Sequence, residues 1–263
     1  MRLGKPEVSM IEVKSSTLAA LKSAAEPLAL FVYEDAGVAG AATLPAATRK
    51  ALLEAAKADA FRGKAGEFSS VTHLSRAYVL VGLGKRREAG SEALRRAGAG
   101  LSRYARRRWK SLGVLAPAGA QAAAEGLLLG SYRFEEYRKP EEDSMLAEAV
   151  LASESGTPKA LEALVERARI AAEAAAFARD LVNRGPSDKS PESLGQAAKA
   201  LAGSGVTVKL IDTAEAKRLG MGSYLSVSRG SAQPGCLVHL IYKPKGARRK
   251  IGLVGKGITF DSG

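Results

Sequence analysis

Lys256 and Asp261 stand five residues apart near the end of a 263-residue chain, a basic and an acidic side chain among glycine, small polar and apolar residues. The apolar run Ile251–Val254 just before them reads as a buried strand. Gly255 and Gly257 flank the lysine, where a missing Cβ lets backbone and ligand approach closely. Ligands of open α/β sheets collect at the carboxyl ends of strands, and Lys256 occupies such an end. It is therefore a candidate site residue, the alternative being an ordinary strand exit with a solvated lysine. Other chemistries find less support. His73 and His239 are the two histidines, so no H-E-x-x-H zinc helix exists, and no G-x-S-x-G nucleophile elbow occurs. Gly82-Leu-Gly84-Lys85 lacks the spacing and the hydroxyl residue of a phosphate loop and reads as a tight strand exit. His239 and Cys236 lie in an apolar run and read as core residues.

The segment Val254-Gly-Lys-Gly-Ile-Thr-Phe-Asp-Ser-Gly263 resembles the V-G-K-G-[VIL]-T-F-D-S-G-G signature of the leucyl aminopeptidase (cytosol aminopeptidase, M17) family. Phe61-Arg-Gly-Lys-Ala-Gly-Glu67, Tyr78–Lys85 and Glu125–Phe134 are similar to the amino-terminal domain of that family. Asp180–Pro186 with Ser190-Pro191, and Val238–Pro244, are similar to the start of its catalytic domain. The resemblance is collinear from about Ile11 to Gly263. It implies a metal-dependent exopeptidase that removes amino-terminal residues from peptides with two divalent ions, manganese or zinc. By the same resemblance Lys256 gives its amine to one ion and Asp261 bridges both. A lysine ligates only as the neutral amine, so its ordinary pKa of about 10.4 must fall under the influence of the cation and of desolvation. The family's further metal aspartate, its second lysine and its N-T-D-A-E-G-R-L motif have no counterpart here. The expectation is a chain lacking most of the active site, inactive alone, with no catalytic residue of its own beyond these two ligands. Hexameric assembly is implied for the full-length protein.

Positioning these residues requires an α/β architecture. Leu28–Val32 and Tyr78–Val81 are short apolar runs that read as buried strands, and Ser111–Leu115 is a third. Ala47–Ala60, Ser91–Arg108 and Ala120–Gly130 carry helix formers. Strand–helix alternation predicts one α/β domain over residues 1–150, which the resemblance makes macro-domain-like. A second, truncated α/β domain is expected over 151–263, with the charged stretch Arg138–Asp143 and Ser153–Pro158 near the boundary. There Thr157 should cap a long helix reaching Val182, and Ser190 the next one. Val206–Ile211, Cys236–Tyr242 and Ile251–Val254 are the strands expected of it. An edge left unpaired after Val254 predicts that 157–263 is unstable alone, whereas 10–150 folds independently.

Composition sets the outer bounds. An apolar content of 46% and a charged content of 25% suit a globular protein. A single cysteine permits no internal disulfide, which fits a cytoplasmic setting. No stretch approaches the roughly 18 apolar residues of a membrane span. The net charge of +13 invites a second, non-enzymatic reading as a basic module for nucleic acid or partner subunits. Two clusters carry it: Arg103, Arg106, Arg107, Arg108 and Lys110 around Trp109, then Lys243, Lys245, Arg248, Arg249 and Lys250. DNA is thus a possible partner, although no nucleic-acid-binding motif accompanies the charge.

Overall fold

The computed structural model describes residues 10–24, 26–40, 44–137 and 146–259. The charged stretch Arg138–Asp143 and Asp261 itself lie outside these residues. Two compact units are formed, one over Val8–Ala176 and one over Phe177–Gly263.

The first unit is built on a seven-stranded sheet in the order β1-β7-β6-β2-β5-β4, with β3 pairing β2. In chain order these are β1 (Glu12–Ser15), β2 (Leu28–Tyr33), β3 (Gly37–Val38), β4 (Phe68–His73), β5 (Arg76–Gly84), β6 (Ser111–Ala116) and β7 (Glu148–Ser153). The neighbours β1/β7, β7/β6, β6/β2 and β2/β5 run parallel, while β4 returns antiparallel beside β5. Leu28 to Val32 are all buried, as expected where helices cover both faces of a parallel sheet and the strand need not alternate. One core packs Phe31, Val79, Val81 and Leu112 against Leu101 of helix α3 (Ser91–Ala105) and Leu127 of α4 (Ala120–Ser131). The opposite face packs Leu30, Leu80 and Val32 with Leu21 of α1 (Leu18–Ser23) and Leu52 of α2 (Ala46–Ala56).

Two local features tighten this unit. Gly82 lies under the Phe61–Glu67 segment, and a Cβ there would stand 1.9 Å from the Lys64 carbonyl oxygen. The strap is held from both ends: the Glu67 carboxylate accepts from the Arg62 and Lys64 amides at 2.8 and 3.0 Å, and Gly84 donates to the Gly63 carbonyl. By contrast, the two-residue turn between β4 and β5 places Leu74 and Ser75 at φ of 48° and 62°, a left-handed pair that glycine and asparagine usually supply. Leu74 is 82% exposed at its tip.

The sequence set the domain boundary at 150/151. In the structure β7 crosses that point, between β1 and β6, and the two compact units divide inside the 26-residue helix α5 (Pro158–Asn183). Thr157 accepts from the Ala160 amide at 3.2 Å, the expected cap of α5. Leu161, Val165, Ala168 and Ala172, spaced by three or four, join the first core.

The second unit holds α6 (Pro191–Lys199), β8 (Val206–Ile211), α7 (Thr213–Arg218), α8 (Gly222–Val227) and β9 (Leu237–Tyr242). Ser190 caps α6 through the Ser193 amide at 3.0 Å, with Pro191 in the first turn. β8 and β9 form an antiparallel pair. Two expectations are corrected here. Ile251–Val254 is not a buried strand: Ile251, Leu253 and Val254 are 87%, 94% and 102% exposed. A strand exists only through a partner's ladder, and none of the described residues pairs with this run. His239 is likewise exposed rather than core, because it sits on a β9 whose Leu240, Ile241 and Tyr242 also face solvent.

Candidate functional site

Lys256 lies in the segment 251–259, outside any helix or strand, and its side chain is exposed. Added Cβ atoms at Gly255 and Gly257 would meet nothing within 4 Å, so both glycines border open space. Asp261, the second proposed ligand, belongs to the four terminal residues that the structure does not describe. Among the described residues no group of three or more His, Cys, Asp or Glu side chains could hold a metal ion. An amine and a carboxylate are suitable donors for a divalent ion, yet two donors do not make a centre for two ions. The described residues therefore do not fit a metal centre by themselves.

Elsewhere the carboxylates Glu125 and Asp35 have structural duties. Glu125, 12% exposed on α4, accepts from Arg95 at 2.8–2.9 Å and from Gln121 at 2.9 Å, so it braces α4 against α3. The Glu125 and Glu92 carboxylates in turn raise the Arg95 guanidinium pKa. Lys85 follows Gly84, whose φ of +78° ends β5, and the next amide, of Arg86, donates to the Asp35 carboxylate. That geometry is a tight strand exit, as the sequence suggested.

Among the described residues, two of the surface clefts each lie within one unit. One of about 510 Å³ lies at the carboxyl end of β2, lined by Tyr33, Glu34, Leu53, Lys57, Phe61 and Arg62. The other, about 420 Å³, lies in the second unit between Glu192, Leu210, Asp212, Thr213, Pro234 and Cys236. Burial pushes the Cys236 thiol up from its ordinary value, Lys199 opposing this weakly, so the thiol is not poised as a nucleophile. Cys236 is half-buried beside Gly195 and lines this cleft, so it is not the core residue that the sequence suggested. Lys256 lines neither cleft.

The two basic clusters differ in what their side chains touch. At the end of α3, Arg108 lies 4.1 Å over the Tyr104 ring and donates to the Tyr104 carbonyl, and Tyr104 stacks on Phe68 at 5.2 Å. The 243–250 cluster instead surrounds an exposed turn, in which Ala247 donates to the Pro244 carbonyl and Gly246 has a φ of +79°. Sequence reading noted both clusters but could not tell them apart, because both are runs of arginine and lysine.

Comparison with known proteins bears on both units. The description "Cytosol aminopeptidase family, N-terminal domain" matches residues 29–141, and "Cytosol aminopeptidase family, catalytic domain" matches 176–263. A probable cytosol aminopeptidase of Aquifex aeolicus is 36% identical over 249 residues, covering 90% of this chain and 50% of the relative. One from Syntrophotalea carbinolica is 38% identical over 240 residues, with 84% and 48% covered. The chain thus spans about half the length of the curated relatives it matches. Among solved structures, a mutant of tomato leucine aminopeptidase superposes with a TM-score of 0.82 at 24% identity, covering 99% of this chain and 57% of that one. At that identity the likeness is one of fold. The bottromycin maturation enzyme BotP, solved in complex with Mn, gives a TM-score of 0.67 at 27% identity, with 84% and 46% covered.

Proposed function

Because this chain belongs to the cytosol aminopeptidase family, we propose that the protein it represents removes amino-terminal residues from peptides with a pair of divalent ions, and that Lys256 and Asp261 are two of their ligands. The observation that carries this reading is the unbroken ten-residue motif Val254–Gly263, which falls inside the segment matched to the family's catalytic domain. Divalent ions, when bound, supply a Lewis acid for the scissile carbonyl and a water nucleophile near neutral pH. Lys256 contributes a neutral amine, which removes one positive charge from the neighbourhood of the ions, and Asp261 contributes the compensating anion. The other ligands come from residues this chain does not contain, which agrees with its spanning about half of its relatives' length. Manganese or zinc is the expected metal; the Mn complex of BotP favours manganese as the first to try. Assembly as a hexamer and a cytoplasmic location belong to the same reading. For the latter, the support is that relatives are called cytosol aminopeptidases and that no described helix is long and apolar enough to cross a membrane.

The test is a comparison of two polypeptides. Residues 1–263 alone, incubated with leucine p-nitroanilide and manganese, should release no p-nitroaniline above background. A longer product of the same reading frame, carrying the further carboxylates, should hydrolyse the substrate and lose activity to a chelator. In that longer form Lys256→Ala and Asp261→Ala should each lower kcat/KM by about 100-fold or more, since each removes a ligand of a catalytic metal. Robust hydrolysis by 1–263, or full activity of both variants, would overturn the reading.

A further inference from the structure

The cleft at the carboxyl end of β2 is lined entirely by residues 32–62, inside the segment matched to the family's N-terminal domain. Its walls therefore belong to one unit with a core of its own. Much of the lining is apolar: Val32 and Phe61 are buried, Tyr33 and Leu53 half-buried. Three charged residues line it as well, Glu34, Lys57 and Arg62, all exposed. The Lys57 ammonium is bound to Glu54 at 2.9 Å, so its charge is offset. One carboxylate and one guanidinium then set the character of the cleft.

The backbone fixes where these two residues stand. Glu34 follows directly on β2, and its amide donates to the Gly84 carbonyl at 3.0 Å. Gly84 in turn donates to the Gly63 carbonyl at 2.9 Å. Gly63, next to Arg62, presses on the same strand end: a Cβ there would stand 3.1 Å from the Glu34 amide nitrogen and the Tyr33 carbonyl oxygen. The Arg62 amide is held by the Glu67 carboxylate, and the Phe61 amide by the Ala56 carbonyl at 3.2 Å. Ala60, left-handed at a φ of 57°, turns the chain from the one-turn helix Lys57–Asp59 into this strap. Such strain outside glycine persists where the surroundings enforce it, and it gathers at ligand clamps. Acid and base are thus carried on adjacent, cross-bonded stretches of backbone.

We propose that this cleft binds a small zwitterion with an apolar side chain, a free apolar amino acid or a dipeptide of such residues. Arg62 takes the carboxylate through its planar fork, Glu34 takes the ammonium, and Val32, Leu53 and Phe61 receive the side chain. A volume of about 510 Å³ lies within the range of small-molecule sites, which pair apolar walls with a few placed polar groups. The carboxyl end of a parallel strand is also where ligands of open α/β sheets gather. A phosphate-bearing ligand is the weaker occupant, because Glu34 puts a negative charge into the same cleft as Arg62. The site uses neither Lys256 nor Asp261, so it goes beyond the peptidase reading and stands without it. What that reading adds is a source, since amino acids and shortened peptides are the products of such a reaction.

The experiment is a nuclear magnetic resonance titration of nitrogen-15-labelled residues 1–263 with L-leucine and with Leu-Leu. It reads binding and not hydrolysis, so its failure is separate from a failure of the peptidase reading. The amides of Glu34, Arg62 and Gly63 should shift and saturate with a dissociation constant of about 1 mM or tighter. Leucinamide lacks the carboxylate and N-acetyl-leucine the ammonium, and each should bind about 10- to 100-fold more weakly, the loss of one charge-assisted hydrogen bond. Arg62→Gln should bring leucine down to the level of leucinamide, and Glu34→Gln to that of N-acetyl-leucine. Lys50→Gln, on α2 outside the cleft, should change neither. The dispersion of the same spectra checks that each variant is folded. The longer product of the reading frame, carrying Lys256→Ala and stripped of metal by a chelator, should retain radiolabelled leucine in equilibrium dialysis and lose it on adding Arg62→Gln. Unshifted cleft amides at about 10 mM leucine, equal binding of leucine and its two derivatives, or no retention by the longer product would overturn the site. Tighter binding of inorganic phosphate than of leucine would overturn the zwitterion as its occupant.

Discussion

Strands β2 and β9 are both six residues of nearly unbroken apolar character, LALFVY and LVHLIY, yet they meet opposite fates. Leu28 to Val32 in β2 are at most 2% exposed, whereas Leu240, Ile241 and Tyr242 in β9 are 46%, 46% and 66% exposed. The difference lies in the company they keep. β2 has β5 and β6 beside it, and helices over both faces; β9 has β8 on one side and α6 nearby. In the whole of Phe177–Thr259 the buried residues are Gly195, Ala197, Ile211 and Ala216. An apolar run is thus a demand for cover, and cover is a property of the rest of the sheet rather than of the run.

The contrast can be broken most forcefully through the cores. Phe31→Ala, which empties a fully buried site in the first unit, should cost about 3–5 kcal/mol, while Ile241→Ala should cost less than about 1 kcal/mol. Urea unfolding followed by near-ultraviolet circular dichroism separates the two. Equal costs would mean that β9 is covered in solution. Hydrogen exchange sharpens the same point without mutation: amides of β2, β5 and β6 should outlast those of β8 and β9 by orders of magnitude. Preferential survival of the second unit under limited proteolysis would contradict the picture.

Opposite pH responses are expected next. In the first unit, the Lys14 ammonium bonded to Glu148, and Arg96 and Arg95 bonded to Glu92, hold these carboxyls below their ordinary values. A depressed folded pKa contributes stability above the unfolded value, near 4.3, that is lost as pH falls through the folded one. In the second unit burial raises the Cys236 thiol and, above all by burial, the Tyr224 phenol. A raised folded pKa leaves stability intact below the unfolded value and removes it as pH climbs through the folded one. Acid below about pH 4 should therefore loosen the first unit, and alkali above about pH 8.5 the second. Exchange rates measured for each unit at both extremes check the signs. Smaller still is the cap: Ser190→Ala, which frees the Ser193 amide, should cost about 1 kcal/mol, read from the local exchange of α6.

Much of the first unit was legible in its residues. Strands such as Leu28–Val32 announce themselves by continuous apolar character, and the caps at Thr157 and Ser190 by hydroxyls ahead of Pro158 and Pro191. Harder to read was β4, whose Phe-Ser-Ser-Val-Thr-His is mostly polar because one face of an edge strand is wet. β7 also escaped: its neighbour β1 lies more than a hundred residues earlier, and such pairing leaves no local trace. The exposure of Ile251–Val254 and His239 was misjudged for the reason given above, since their character reports a preference and not a partner. For the candidate site, the residues of the terminal motif were visible by resemblance. Their geometry was not, because ligands of one ion are gathered by tertiary contacts from distant parts of a chain.

The hairpin tip at Leu74 and Ser75 has a practical corollary. Two side-chain-bearing residues hold a left-handed bend there at an exposed tip, so the strain is local and removable. Leu74→Asn with Ser75→Gly should raise the thermal midpoint of the first unit by a few degrees, about 1 kcal/mol, while shedding an apolar side chain from the surface. A more heat-resistant version of this domain is therefore two substitutions away, at a point remote from Lys256 in sequence and outside every packed layer.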